Sequence, residues 1–289
     1  MGCILVKKFI LNVDDLGREQ AINRAVLEGF QGGILKSAGI CANGKYFDEA
    51  INSVVKSCDG LGVGIHLNIT SGKSLCTDLA KLTDEDMNFN NNFFKLLFKA
   101  YNPKEKEFLE EVEREFRRQI EKVFSVSKIS HIDSHNHIHA IPPIFDIVCR
   151  LAQEYRIKYV RTHFEKFYIV PDIYKHMNKM FFINTAKKFM LNLLTVFNEN
   201  TVHKYGLKTN DYLLGLSYAD EMDSRVVSYG LSALKYDNIT VECIIHPCRY
   251  EEGTINNRFD EYLLARNPKL KNKIEKLGYE ITNYVEEEN

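Results

Sequence analysis

Short apolar segments alternate with amphipathic segments along most of this chain, and that alternation restricts its fold more than any other feature. The clearest amphipathic segment covers residues 106–124, where apolar side chains recur every three or four positions, as on one face of a helix. Apolar runs of strand length stand between such segments, among them KKFILNV, LGVGIHLNIT and ITVECIIHP. Alternating strands and helices predict an α/β fold with a parallel sheet, either open or closed into a barrel.

At 289 residues the chain can form one large α/β barrel or two ordinary domains. No linker-like or low-complexity tract divides the sequence. Residues 71–105 and 165–215 interrupt the alternation, and we interpret both as insertions on the rim of the fold. We therefore predict a single domain that extends over residues 1–289.

The composition argues against several classes of protein. The 38 Lys and Arg side chains nearly balance the 39 Asp and Glu side chains, so a broad basic surface for nucleic acid is not expected. The seven cysteines are scattered and include no C-x-x-C pair, which argues against a disulfide framework or a zinc ribbon. This cysteine usage predicts an intracellular, cytoplasmic protein.

An apolar stretch at residues 180–197 comes nearest to a membrane-spanning segment, but Lys187 and Lys188 interrupt it. We expect a buried or half-buried helix pair there. The alternative is a helix that lies on a membrane surface, which leaves peripheral membrane contact open.

Side chains that bind metals or carry protons stand at the predicted carboxyl ends of the strands. In α/β folds these ends share one edge of the sheet, where active sites form. Five strand ends carry such groups, which are Asp14 with Asp15, His66, the segment 131–139, Arg161 and His246. We therefore expect these residues to surround one site.

The segment HIDSHNHIHA, residues 131–140, contains four of the nine histidines of the chain. In one extended strand, five of its side chains would share a face, namely His131, Asp133, His135, His137 and His139. Neighbours on that face would be about 6.6 Å apart. A metal ion needs ligands at about 2.0–2.2 Å, so one ion takes one or two of these histidines and draws its other ligands from other strand ends.

His66 and the adjacent Asp14 and Asp15 are the expected sources of those other ligands. Neighbouring carboxylates at a strand end point in different directions, so one can bind the ion while the other accepts a proton from water. This division of roles suits hydrolysis. Each residue also has an ordinary structural explanation, since Asp15 could cap the following helix and His66 could be a buried core histidine.

Other catalytic patterns have less support in the sequence. The stretch GLGVGIH, residues 60–66, is similar to a glycine-rich nucleotide loop but lacks the P-loop lysine and a following helix. Ser134 does not stand in a G-x-S-x-G elbow. Cys248 lies close to His246, but nothing distinguishes it as a nucleophile from the six other cysteines.

Three segments together resemble the signature blocks of a known family: LNVDDLG (11–17), GVGIHLNIT (62–70) and HIDSHNHIH (131–139). In order, spacing and strand placement they are similar to the YdjC-like carbohydrate deacetylases, a family with chitooligosaccharide deacetylases and a branch associated with hopanoid glycolipids. The resemblance implies a single-domain distorted (β/α) barrel with its active site at the carboxyl ends of parallel strands. It also implies metal-dependent removal of an acetyl group from an N-acetylated sugar, with release of acetate.

Carried onto this chain, the resemblance implies a role for each of six residues. Asp15, His66 and His135 would hold one divalent ion, Mg²⁺ or Zn²⁺. Asp14 would be the general base, His246 would protonate the departing amine, and Arg161 would orient the base or the substrate. The chain departs from the family pattern by VDDLG in place of ADDFG and by HPCRY after the last strand, beside His246.

More than one substrate and more than one oligomeric state are compatible with the sequence. The stretch at 203–223 is more similar to the glycolipid-linked branch, which favours a lipid-linked N-acetylglucosamine or a surface-polysaccharide precursor as the alternative substrate. The rival functions are a different hydrolysis at the same metal site and a non-catalytic carbohydrate- or metal-binding protein on the same fold. A homodimer is compatible with the usual symmetry of such proteins.

Overall fold

A computed structural model describes residues 6–250 and 256–285 of the protein. Its strands are β1 (Lys7–Leu16), β2 (Ser37–Ile40), β3 (Gly62–Leu67), β4 (His131–Ser134), β5 (Tyr159–Val160), β6 (Tyr212–Leu214), β7 (Thr240–Ile245) and β8 (Tyr279–Ile281). The pairs formed by these strands are all parallel, in the order β5-β4-β3-β2-β1-β7-β6, and β8 pairs with the start of β1. The parallel α/β sheet predicted from the alternation is therefore confirmed.

Helices connect these strands and cover the outer face of the sheet. They are α1 (Gln20–Gly32), α2 (Phe47–Glu49, continued by the π-helical turns Ala50–Val55), α3 (Phe93–Ala100), α4 (Lys106–Phe124), α5 (Pro142–Glu154), α6 (Lys179–Tyr205), α7 (Ser224–Ser232), α8 (Asn257–Ala265) and α9 (Pro268–Lys276). Short 3₁₀ segments lie at His135–Ala140 and Ile173–Lys175. The apolar stripe predicted for α4 is fully buried; it comprises Phe108, Val112, Phe116, Ile120 and Val123.

The two ends of the sheet meet, so the sheet curls into a distorted barrel. A parallel bridge joins Tyr159 in β5 to Lys208, which lies just before β6. The backbone N–H of Val160 donates to the Lys208 carbonyl at 3.0 Å, and the N–H of Lys208 donates to the Lys158 carbonyl at 2.8 Å. Because β5 has only two residues and β6 only three, this seam is short. The barrel implied by the family resemblance is confirmed.

The prediction that residues 131–139 form one strand is wrong. β4 ends at Ser134, and Asn136 and His137 then adopt left-handed backbone conformations with φ of 56° and 57°. The hydroxyl of Ser134 accepts a hydrogen bond from the backbone N–H of His139 at 3.0 Å and closes the turn. The later histidines therefore do not share a face with His131, although the alternation of the sequence suggests that they do.

Residues 180–197 form part of a single half-buried helix, α6, and not the pair of helices that we expected. The side chains of Asn192, Thr195 and Asn198 attach α6 to the segments 163–165 and 135–140 at the carboxyl edge of the barrel. In the part of the chain that the structure describes, every helix is too short or too polar to cross a membrane.

Candidate active site

Two consecutive carboxylates at the end of β1 point to different partners. The register between β1 and β2 shifts between Val13 and Leu16, and Asp15 has a left-handed backbone with φ of 70°. Such a conformation is strained for a residue other than glycine and is a common feature of functional sites. Because of this irregularity, Asp14 faces Arg161 inside the barrel, whereas Asp15 faces His66 and His135 at its mouth.

Arg161 is fully buried and binds three carboxylates. Its Nη1 and Nη2 donate to the two oxygens of Asp14 at 2.9 and 2.8 Å, and Nη2 also lies 2.6 Å from Glu242 and 2.7 Å from Asp133. Burial alone would lower the pKa of Arg161, but the three carboxylates raise it well above its usual value. The planar guanidinium thus holds Asp14 in one orientation through two parallel hydrogen bonds.

His66 connects this buried cluster to the mouth of the barrel. Its Nδ1 lies 2.7 Å from Asp133 Oδ1, and its Nε2 lies 3.4 Å from Asp15 Oδ1. Burial alone would lower the pKa of His66, but the carboxylates of Asp133 and Asp14 raise it to about 10. With Nδ1 bonded to Asp133, the other nitrogen of His66 is directed at Asp15, the arrangement that metal-binding histidines usually have.

His135 completes the set that the sequence predicted. Its Nδ1 lies 2.9 Å from Asp15 Oδ1, and its ring centroid is 5.8 Å from that of His66. Burial lowers the pKa of His135, so the neutral ring keeps a lone pair for a ligand. The two imidazoles therefore converge on the same oxygen of Asp15 from separate elements of the fold.

The residues present fit a divalent ion at this position. Donor atoms of Asp15, Cys41 and His66 lie within 4.8 Å of one another, whereas His135 is outside this group and lies 2.9 Å from Asp15 Oδ1 alone. Burial raises the pKa of the Cys41 thiol well above its usual value, so Cys41 is a poorer candidate than His135. One carboxylate and two imidazoles form a donor set suited to zinc, while magnesium prefers more oxygen ligands.

Arg18, which the sequence did not single out, lies against two of these three side chains. Its Nη1 is 3.0 Å from Asp15 Oδ1 and 2.6 Å from His135 Nε2, and its Nη2 is 3.3 Å from the hydroxyl of Ser71. A guanidinium carries a permanent positive charge. Arg18 therefore supplies a cation at the place where the donors converge.

His246 lies near Asp14, at the end of β7. Its Nε2 is 4.0 Å from Asp14 Oδ2, and about a fifth of its side chain is exposed. Its backbone N–H donates to the carboxylate of Glu261 at 2.6 Å, which fixes the loop after β7. Burial raises the pKa of Glu261 to about 7. His246 is thus held near Asp14 and remains accessible to a ligand from solvent.

The remaining histidines of the segment 131–140, which are His131, His137 and His139, are buried in the fold. His131 stacks on Tyr284 with 4.5 Å between ring centroids, and burial lowers its pKa to about 4. His139 bonds Ser134 and the carbonyl of Arg161, which ties the end of β4 to the end of β5. His137 is also buried, and its Nδ1 makes no hydrogen bond among the described residues.

In the segment 60–66, Gly64 makes room for the buried ring of His131, and residues from Gly62 onward form strand β3 and not a nucleotide loop. A Cβ atom at Gly64 would lie 2.3 Å from the ring of His131. Gly39 on β2 has the same role, since its Cβ would lie 2.9 Å from a carboxylate oxygen of Asp133. The glycines thus allow polar side chains to fill the barrel interior.

Asp133 and Glu242 are two further site residues that received no role from the sequence. Asp133 orients His66, and Glu242 accepts hydrogen bonds from Arg161 and from the hydroxyl of Tyr284. A glutamate in the apolar run ITVECIIHP was a usable signal, because a buried carboxylate needs a partner. Arg18 gave no comparable signal, since its position depends on the irregular end of β1.

Comparison with known proteins gives one family. A family model described as YdjC-like protein matches residues 8–276. Carbohydrate deacetylases of Clostridium beijerinckii and Brevibacillus brevis are each 36% identical to the chain over 151 residues, or 52% of its length. The chain matches only 58% and 57% of the lengths of these two relatives.

Solved structures share the fold. A crystal structure from Enterococcus faecalis V583, of a protein with a proposed role in cellobiose-phosphate cleavage, aligns with a TM-score of 0.71. The two chains are 22% identical, and the alignment covers 97% of this chain and 98% of the other. An uncharacterized protein from Agrobacterium tumefaciens C58 aligns with a TM-score of 0.53 at 10% identity, over 98% of this chain and 89% of that one.

Proposed function

The chain belongs to the YdjC-like family, and we propose that it is a metal-dependent hydrolase that removes an acetyl group from an N-acetylated sugar and releases acetate. The observation that carries the proposal is the pair of adjacent carboxylates with separate partners, Asp14 on Arg161 and Asp15 on the two histidines. The names of the curated relatives support a carbohydrate substrate and deacetylation. A chitooligosaccharide is the first substrate to test.

Asp15, His66 and His135 would hold the divalent ion. When bound, the ion supplies positive charge that polarises an amide carbonyl and lowers the pKa of water. A ring nitrogen binds a metal ion only in its unprotonated form, so the ion would bind the neutral form of His66. Asp133 keeps His66 in the required orientation throughout.

Asp14 would accept the proton of the attacking water. Arg161 holds both of its oxygens, and Asn12 Nδ2 donates to Oδ1 at 2.9 Å, so the carboxylate is oriented before the substrate arrives. His246, 4.0 Å from Asp14 Oδ2, would give a proton to the departing nitrogen. Arg161 acts through Asp14 and is a positioning residue.

We expect Arg18 to compete with the divalent ion for the ligands. Its guanidinium lies within 3.0 Å of Asp15 Oδ1 and 2.6 Å of His135 Nε2, so an incoming ion must displace it. Arg18→Met should therefore tighten binding of Mg²⁺ or Zn²⁺ to the metal-stripped protein by roughly tenfold, which corresponds to about 1.4 kcal/mol. Isothermal titration of the metal measures this directly.

The matched control for this titration is Arg24→Met, an exposed arginine on α1. It should leave the affinity for the metal unchanged. An Arg18→Met protein that binds the ion no more tightly than the wild type would show that the guanidinium does not occupy the place of the ion.

The test of the function itself is acetate release from diacetylchitobiose by metal-stripped protein, with Mg²⁺ or Zn²⁺ added back. We expect acetate only when metal is present, and Asp15→Ala should lose both the metal and the activity. Phosphate release from sugar phosphates without acetate would favour the rival hydrolysis. Tight sugar binding by metal-loaded protein without turnover of any N-acetylated sugar would favour the non-catalytic protein.

A lipid-linked N-acetylglucosamine or a surface-polysaccharide precursor is the second substrate class. The exposed apolar side chains of α6, which lies beside the candidate site, favour a substrate with a lipid portion. Acetate release from a lipid-linked substrate but not from diacetylchitobiose would select this class.

A further inference from the structure

Cys41 lies directly after β2, beside the candidate metal ligands. Its backbone N–H donates to the carbonyl of Leu16 at 2.9 Å, which continues the pairing of β1 and β2 past the irregularity in β1. The thiol is fully buried, and its sulfur lies 3.8 Å from Asp15 Oδ1. Of the six cysteines that the structure describes, Cys41 is the one whose sulfur belongs to a cluster of three side chains able to bind a metal, with Asp15 and His66.

The distances around Asp15 fit donors that share one ion. Asp15 Oδ1 lies 2.9 Å from His135 Nδ1, 3.4 Å from His66 Nε2 and 3.8 Å from Cys41 Sγ. Around an ion with bonds of about 2.0–2.3 Å and bond angles of 90–120°, neighbouring donors are roughly 2.8–3.8 Å apart. The sulfur therefore lies at the separation that a metal ligand would have from this carboxylate.

The inner donors of the site are shielded from water. Asp15, Cys41 and His66 are at most 4% exposed, whereas 18% of the His135 side chain and 29% of the Arg18 side chain are exposed. Magnesium prefers oxygen ligands and usually keeps several waters. Zinc is bound by cysteine, histidine and carboxylate ligands together. The buried side of the site thus suits zinc better than magnesium.

A thiol binds an ion only after it has lost its proton. Burial and the carboxylate of Asp15 raise the pKa of the Cys41 thiol well above its usual value, so the metal-free protein keeps the sulfur protonated. A coordinating cation reverses this preference. The S–H bond breaks, the sulfur shares its electron pair with the ion, and the proton goes to solvent. The thiol is therefore a poor donor to magnesium, which binds sulfur weakly, but a good donor to zinc.

We propose that Cys41 binds the divalent ion as a thiolate, beside Asp15, His66 and His135, and that it makes the site selective for a thiophilic ion such as Zn²⁺. Zinc accommodates five ligands, so four protein donors leave a position for water on the exposed side of the site. That an ion binds here at all rests on the proposed function. The sulfur ligand is a separate claim with its own test.

The test is a spectroscopic titration of the reduced, metal-stripped full chain with Co²⁺, which takes the place of zinc and absorbs light. We expect a near-ultraviolet charge-transfer band from sulfur to cobalt that grows until one ion is bound per chain. Cys41→Ser should bind cobalt without this band, since serine has nearly the same size but no sulfur. The control is Cys149→Ser, a buried cysteine on α5, which should keep the band.

Isothermal titration with Zn²⁺ and with Mg²⁺ measures the selectivity. Loss of even an outer partner of a metal site commonly costs 10–100-fold in affinity, so Cys41→Ser should lower the affinity for Zn²⁺ by roughly 100-fold. The affinity for Mg²⁺ should stay the same. A variant in which the whole site is disturbed would instead lose affinity for both ions. Cys41→Ala replaces Cys41→Ser in both experiments if the serine variant does not fold.

Three results would overturn the proposal and leave the proposed function intact. They are wild-type protein that binds cobalt without a sulfur band, a band of full intensity in Cys41→Ser, and an equal loss of affinity for Zn²⁺ and Mg²⁺ in that variant. Wild-type protein that binds no divalent ion would contradict the sulfur ligand and the metal-dependent function together.

Discussion

Asp14→Asn is expected to lower kcat for acetyl removal by about 10²–10⁴-fold while the divalent ion stays bound. Asparagine has nearly the shape of aspartate and can still accept a hydrogen bond from Arg161, but it cannot take a proton from water. Arg161 keeps Asp133 and Glu242 as carboxylate partners in this variant, so the buried cluster remains compensated. The main expected change is therefore in kcat, with a smaller loss of stability because an amide NH₂ replaces one of the two oxygens that accept from Arg161.

Steady-state kinetics and a metal titration on the same preparation of Asp14→Asn distinguish a loss of kcat from a loss of bound metal. Asp78→Asn, an exposed aspartate in the segment before α3, is the matched control and should retain full activity. An Asp14→Asn protein with bound metal and a near-normal kcat would rule out Asp14 as the base.

Arg161→Met is expected to destabilise the protein by about 3–5 kcal/mol, because it leaves three buried carboxylates without their cation. For a domain of this size such a loss corresponds to a fall in Tm of roughly 5–8 °C. Thermal unfolding measures it. If Arg161→Met does not fold, Arg161→Lys can be measured in its place. This variant keeps the positive charge but loses the two parallel hydrogen bonds of the guanidinium, so it should be destabilised less than Arg161→Met.

The control for this experiment is Arg118→Met. Arg118 is an exposed arginine that reaches Glu121 at 3.8 Å, and surface pairs of this kind contribute at most about 1 kcal/mol. An Arg161→Met protein with the wild-type Tm would show that the three carboxylates do not depend on this cation. Loss of activity in a folded Arg161→Lys protein, with kcat reduced more than KM is raised, would support its role in orienting Asp14.

The sequence was sufficient to predict the features that repeat along the chain and to group the residues that share one edge of the sheet. The stripe of α4 follows the helical period over nineteen residues, so its burial could be predicted with Phe108 and Val123 included. Residues from several strand ends, such as Asp15, His66 and His246, could be assigned to one region because the strands are parallel. Their convergence follows from topology and needs no knowledge of side-chain packing.

The end of β4 could not be predicted because its sequence continues the strand pattern after the chain has turned. The residues H-x-H-x-H have the period of a strand, yet Asn136 and His137 adopt left-handed conformations that are held by contacts of Ser134 and His139. Likewise β5 and β6 are too short to show a period. Arg18 reaches the candidate ligands only because of the irregularity in β1 after Val13. No local sequence pattern predicts this irregularity.

Paired release of acetate and primary amine by metal-loaded protein is the most direct measurement of hydrolysis at the amide of an N-acetylated sugar. The substrates are diacetylchitobiose, an N-acetylated sugar phosphate and a lipid-linked N-acetylglucosamine presented in vesicles. We expect equal amounts of acetate and amine from at least one of them, with loss of both products in Asp14→Asn. Metal-loaded protein that forms neither product from any of the three, or that cleaves another bond in them, would contradict the proposed function.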